Sequence, residues 1–135
     1  MKAVILLLLL SLVPQGLQRI NPNGVWEAET GSRFNLRLTG PDLKVQIVEG
    51  SNPRFLKYEV DLKNGSKPEE VNSYTGKGYF LAKLQNGKEC KFETEWQIIV
   101  VSSDRIMGIV TGITPDPETC AVREKNDLQL DLKKR

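Results

Sequence analysis

The chain has 135 residues, 39% hydrophobic and 27% charged, which fits one globular domain and excludes both a multidomain assembly and a disordered tail. With 19 Lys and Arg against 17 Asp and Glu, the net charge of +2 lacks the basic excess that neutralises several phosphates, so nucleic acid is not an expected partner. The sequence has no histidine, which removes Ser-His and Cys-His catalytic pairs and His-ligated zinc.

Met1-Lys2 opens the chain, an apolar run from Ala3 to Val13 broken only by Ser11 follows, and Pro14, Gln15 and Gly16 end it. A membrane span needs about 20 apolar residues, roughly twice this run, so the segment reads as a signal peptide and stable membrane insertion is not expected. The leader is placed at residues 1–20, with cleavage between Val13 and Ile20, and a single domain at residues 21–135 in a secreted or periplasmic location. Cys90 and Cys120 are the only cysteines. In an oxidising compartment they are expected to form one disulfide, contributing about 3 to 4 kcal/mol through loop closure. Their spacing is far from CxxC, so the bridge reads as structural.

The body of the chain alternates apolar and polar residues with a period of two, and no segment sustains an apolar repeat at helical spacing. Trp26 and Ala28 alternate with Val25, Glu27 and Glu29. After Thr30-Gly31-Ser32, Phe34, Leu36 and Leu38 share one face against Arg33, Asn35 and Arg37. Past the turn Thr39-Gly40-Pro41-Asp42, Leu43, Val45 and Ile47 oppose Lys44 and Gln46. Gly50-Ser51-Asn52-Pro53 then precedes Leu56, Tyr58, Val60 and Leu62, which oppose Lys57, Glu59 and Asp61. A polar stretch from Lys63 to Glu70 leads into a strand from Val71 to Leu84, and Asn86-Gly87 is the strongest hairpin signal. Cys90, Phe92, Thr94, Trp96, Ile98 and Val100 share the inner face of the return strand. Arg105 to Ile113 follows the turn at Asp104, Pro115-Asp116-Pro117 breaks it, and the last strand points Leu128, Leu130 and Leu132 inward before Lys133-Lys134-Arg135.

About eight strands with short connections fit an all-β fold. An antiparallel up-and-down barrel is preferred over a sandwich, because closure removes exposed sheet edges. An eight-stranded interior either fills with side chains or holds one small ligand. Ala28, Gly76, Gly78, Ala82, Gly108 and Gly112 fall on the inner face. They either leave volume open or mark bends where the sheet curls.

Two stretches resemble a known family. GVWEAETGSRF, Gly24 to Phe34, has the Gly-x-Trp opening and the later Gly-Ser of the first hairpin of avidin-type barrels. YTGKGYF at Tyr74 to Phe80, NGKE at Asn86 to Glu89 and TEW at Thr94 to Trp96 are similar, in order, to that family's aromatic-Thr-Gly strand, hairpin and Thr-x-Trp strand. The resemblance implies a polar ligand contact at Ser32 and aromatic pocket walls at Tyr74 and Trp96. It does not extend to biotin: Ala28 stands in place of the family's Asn, the third strand has no Tyr, and the tail from Thr114 to Arg135 is extra. Gly-x-Trp also opens lipocalins and fatty-acid-binding barrels, the wider calycin group, where a basic residue of the last strand packs on the Trp. That wider resemblance implies Lys133 or Arg135 over Trp26.

Glu93 and Glu95 share one strand face but have no nucleophile or metal partner, so a solvated surface accounts for them. Asp104, Asp116 and Glu118 suit turns and lack the spacing of a calcium loop. Asn64-Gly65-Ser66 is an N-glycosylation sequon in an expected loop, relevant only to secretion by a eukaryote. No catalytic residue, metal ligand or cofactor is expected. The expected function is a secreted, non-enzymatic binding module for a small apolar or amphipathic molecule, with Trp26, Ser32, Tyr58, Tyr74, Thr94 and Trp96 as ligand-binding residues. The alternative is a filled barrel that binds or inhibits another exported protein through loops such as Lys63 to Glu70 or Thr114 to Cys120. Oligomeric state is left open.

Overall fold

The computed structural model describes residues 18–135; the expected leader lies, up to residue 17, outside the described residues. Eight antiparallel strands follow one another in chain order, and the last pairs with the first, so the sheet closes into a barrel. They are β1 (Gly24–Ala28), β2 (Arg33–Thr39), β3 (Asp42–Ile47), β4 (Phe55–Asn64), β5 (Ser73–Lys83), β6 (Glu89–Ser102), β7 (Arg105–Pro115) and β8 (Val122–Lys134). A 3-10 turn, Pro68–Glu70, sits in the β4–β5 loop.

The two-residue period sorts side chains between core and surface. Along β6, Cys90, Phe92, Thr94, Trp96, Ile98 and Val100 are buried in turn, and the residues between them are exposed. Facing strands add Phe34 and Leu36, Leu43 and Val45, Tyr58, Val60 and Leu62 to one continuous core. Outside, Ile99, Val101, Met107 and Ile109 leave an exposed apolar row on β6 and β7.

Two inward expectations fail for stated reasons. A bulge between Phe55 and Lys57 shifts the β4–β5 register, so Leu56 turns outward, 47% exposed, and Phe55 packs on the core instead. Leu128 keeps the same side of β8 as Leu130 but is 51% exposed. The cause is the short β1, which pairs with β8 only from Trp26 to Ala28, whereas β7 and β8 pair from Arg105 to Pro115. The β7–β8 ribbon therefore outruns the rim. Arg123, Glu124, Lys125 and Asp127 place charge along its unpaired edge, which discourages pairing with another strand.

The inner-face small residues divide into two groups. A Cβ at Gly76, Gly78 or Gly108 would run into the backbone carbonyl of Asp61, Glu59 or Gln97 on the adjacent strand, so these three glycines allow close, curled packing. Ala28, Ala82 and Gly112 instead line a cavity at one end of the barrel, although a Cβ at Gly112 would meet the Leu128 side chain.

Cys90 and Cys120 form the expected disulfide, which joins the start of β6 to the β7–β8 connection. The Asn86-Gly87 hairpin has Gly87 at φ 85°, and the Asn86 side-chain amide donates to the Glu118 carbonyl at 3.1 Å. The two connections are thus joined twice.

Candidate functional site

The turns after β1, β3, β5 and β7 surround a cavity of about 890 Å³. Its wall is aromatic because β2, β4, β5 and β6 each present a ring at the same level: Phe34, Phe55 and Tyr58, Phe80, then Phe92 and Trp96. Tyr58 is the hub. Its ring stacks on Phe80 at 5.3 Å and meets Phe34, Phe55 and Trp96 edge-on at 5.3, 5.2 and 5.9 Å. These separations suit aromatic pairs, which add about 0.5–1.5 kcal/mol each beyond the area they bury.

Polar groups behind the rings satisfy one another. Trp96 Nε1 donates to the Tyr58 hydroxyl at 2.9 Å. Tyr58 Oη lies 3.4 Å from Thr94 Oγ1, and Thr94 donates to the Thr111 carbonyl at 3.3 Å, which leaves the Tyr58 hydroxyl as the donor to Thr94. Burial pushes the Tyr58 phenol above its ordinary 10.0, and its hydrogen bonds with Thr94 and Trp96 oppose the shift. The deep end therefore offers a neutral surface with its hydrogen bonds already made.

Nearer the opening, Ser32 is 3% exposed, and its Oγ accepts from Asn52 Nδ2 at 2.9 Å and Thr30 Oγ1 at 3.3 Å. The side-chain oxygen of Asn52 accepts the Arg54 backbone N–H at 2.9 Å, which fixes the β3–β4 turn beside Ser32. Arg54 and Lys83 lie on the adjoining lip, where the Lys83 N–H donates to the Arg54 carbonyl at 3.0 Å.

The six expected ligand-binding residues thus separate. Ser32, Tyr58 and Trp96 line the cavity, and Thr94 sits behind Tyr58. Trp26 and Tyr74, both fully buried, lie at the opposite, closed end. There, residues 18–23 cross the barrel floor. Arg19 donates to the Tyr74 hydroxyl at 3.2 Å and to the Pro41 carbonyl at 2.7 Å, the Ile20 N–H donates to Asn72 Oδ1 at 2.8 Å, and Trp26 Nε1 donates to the Pro22 carbonyl at 2.8 Å. The Lys134 ammonium lies 5.0 Å from the Trp26 ring. A basic residue of the last strand does cover the Trp, but it is neither Lys133 nor Arg135. Trp26 pairs with Lys134, so the alternation turns Lys133 outward, and Arg135 reaches Glu27 at 3.4 Å.

Phe55 and Asn52 are wall residues that the sequence did not single out. Phe55 directly precedes an apolar Leu56, and only the bulge decides which of them faces inward. Glu93 and Glu95 stand exposed on the outer face of β6. The Asn64 amide of the sequon donates to the carbonyls of Val71 and Ser73 at 2.9 and 3.1 Å, clamping the β4–β5 loop.

No protein-family model, curated protein or solved structure matches this chain.

Proposed function

We propose that this chain is an exported, non-enzymatic binding module that takes a small apolar or amphipathic molecule into the open end of its barrel. One observation carries the reading: an aromatic cavity of about 890 Å³ whose deep polar atoms already have partners. Small-molecule sites commonly occupy about 300–1,000 Å³ and combine apolar walls with a few polar groups near one end. Ser32 and Asn52 supply those groups here. A calycin-like relationship, nearest to the avidin family by motif, is part of the same proposal. Its support is the Gly-x-Trp opening, the up-and-down topology and the Lys134 ammonium over Trp26. The Cys90–Cys120 disulfide supports export, because such bridges persist in oxidising compartments.

The two tryptophans provide the test, since Trp96 lines the cavity and Trp26 is sealed at the far end. Titration with the neutral probe N-phenyl-1-naphthylamine should brighten the probe and quench protein fluorescence with one-to-one saturation. Trp96→Phe should remove the quenching while Trp26 continues to emit. A probe that stays dark in the oxidised protein would reject the cavity as a binding site and leave recognition through the loops.

A further inference from the structure

We infer that the molecule this barrel takes is an anionic amphiphile, with its apolar rings in the aromatic well and its anionic group at the lip beside Arg54 and Lys83. The inference rests on the cavity being the binding site and goes further in naming the ligand's charge and orientation.

The deep end sets the first constraint. Trp96, Tyr58, Thr94 and the Thr111 carbonyl form a closed relay, so a polar ligand group pushed against them would lose water without gaining a hydrogen bond. Burial of such an unpaired group is unfavourable. The polar part of a bound molecule is therefore held at the opening.

Charge at the opening sets the second. The charged residues lining the cavity are Glu29, Arg54, Lys83 and Asp131. Asp131 is committed to Arg105, with oxygen–nitrogen distances of 3.1 and 3.3 Å. Among the described residues the Arg54 guanidinium and Lys83 ammonium have no ion-pair or hydrogen-bond partner; on the barrel exterior Arg33, Lys63, Arg105 and Arg135 each reach a carboxylate, while others such as Arg37 and Lys77 do not. Arg54 and Lys83 are held next to each other by the backbone hydrogen bond between them, and Glu29 is across the opening on the β1–β2 turn. The β4–β5 lip therefore carries two cations that form no ion pair, Arg54 and, opposite Glu89 across the β5–β6 pair, Lys83. A guanidinium fork suits the oxygens of a carboxylate, sulfonate or phosphate, and the adjacent Ser32–Asn52 pair places neutral hydrogen-bonding groups at the same level.

Two probes with the same rings separate this inference from the reading beneath it. The anionic probe 8-anilinonaphthalene-1-sulfonate differs from neutral N-phenyl-1-naphthylamine only by its sulfonate. Against the oxidised protein at low ionic strength, the anionic probe should bind about tenfold more tightly, and added salt should shrink that advantage. The double variant Arg54→Gln/Lys83→Gln should bring the ratio of the two affinities to about one, Glu29→Gln should raise it, and Lys91→Gln on the outer wall should leave it at the parent value. Equal affinities in the parent protein, or a preference that survives in the double variant, would overturn the anionic assignment while the cavity stands. If neither probe binds, the cavity reading itself fails.

Discussion

The indole N–H of Trp96 on β6 donates to the hydroxyl of Tyr58 on β4 across 2.9 Å of barrel interior. β5 separates these strands in the sheet, so the bond spans the barrel wall and fixes two cavity rings relative to each other. Tyr58→Phe removes the acceptor and leaves a buried indole donor unpaired. The expected loss is about 1–3 kcal/mol in denaturant unfolding, with altered Trp96 emission.

The same hydroxyl gives an alkaline signature. Burial raises the Tyr58 phenol above its ordinary 10.0, so the folded state holds this proton where the unfolded chain has released it. The associated stability is complete below pH 10.0 and declines as pH rises through the higher folded value. Spectrophotometric titration of phenolate should show a late component, and Tyr58→Phe should abolish it.

On the acid side the sign reverses. The Arg105 guanidinium holds the Asp131 carboxyl below its ordinary 3.8, and the Lys63 ammonium does the same for Asp42. Hydrogen bonds from Gln46 and then Tyr79 hold Glu59 below its ordinary 4.5. Stability from these groups is present above their ordinary values and is lost as pH falls through the folded ones. All three carboxylates are half-buried at the barrel surface, and high salt should weaken the Asp131 and Asp42 contributions. Asp131→Asn should flatten the acid limb of a stability-against-pH curve; an unchanged limb would show that the Arg105 pair contributes nothing.

Reduction of the Cys90–Cys120 bridge should act on the mouth before the barrel. Both partners of the joined connections line or flank the cavity opening, Leu84 and Gln85 on one side and Pro115 and Pro117 on the other. Loss of about 3 to 4 kcal/mol is expected from the entropy of the closed loop. Cys90→Ala/Cys120→Ala should keep its β-sheet circular dichroism at moderate temperature and bind the neutral probe less tightly. Undiminished binding would show that the lip does not shape the site.

Under the proposed export, residues at the barrel floor limit where a leader can be cut. Arg19 and Ile20 bond to Tyr74, Pro41 and Asn72, so an exported protein that keeps its floor begins no later than Arg19. Intact-mass measurement of protein from the medium or periplasm should find Arg19 retained. A chain beginning at Asn21 would lack the bonds of Arg19 to Tyr74 and Pro41, of Ile20 to Asn72 and of Asn72 to the Gln18 carbonyl, and should melt at lower temperature.

The inner face of β6 was legible at every position from Cys90 to Val100, because uninterrupted alternation fixes which side of a sheet each residue faces. Alternation does not say where along the barrel axis a residue lies. Trp26 and Tyr74 were correctly directed inward, yet they sit at the floor while Trp96 sits at the well. That division depends on strand stagger around the closed sheet, a property of all eight registers together. The exchange of Leu56 for Phe55 was hidden for a related reason: a bulge inserts one residue without leaving a distinctive local pattern. The glycines were ambiguous until the neighbouring strands were in place, since the Asp61 carbonyl beside Gly76 and the Leu128 side chain beside Gly112 are both long-range facts.

Both ends of the described chain meet at the floor. The Arg135 N–H donates to the Val25 carbonyl at 2.9 Å, the Lys134 ammonium bonds to the Asn23 carbonyl, and residues 18–23 run alongside. The mouth, with its lip of Arg54 and Lys83, faces the other way. Anything fused or immobilised through Arg135 therefore holds the barrel upright with its opening toward solvent, so the protein can be arrayed on a surface or displayed from a carrier without obstructing entry.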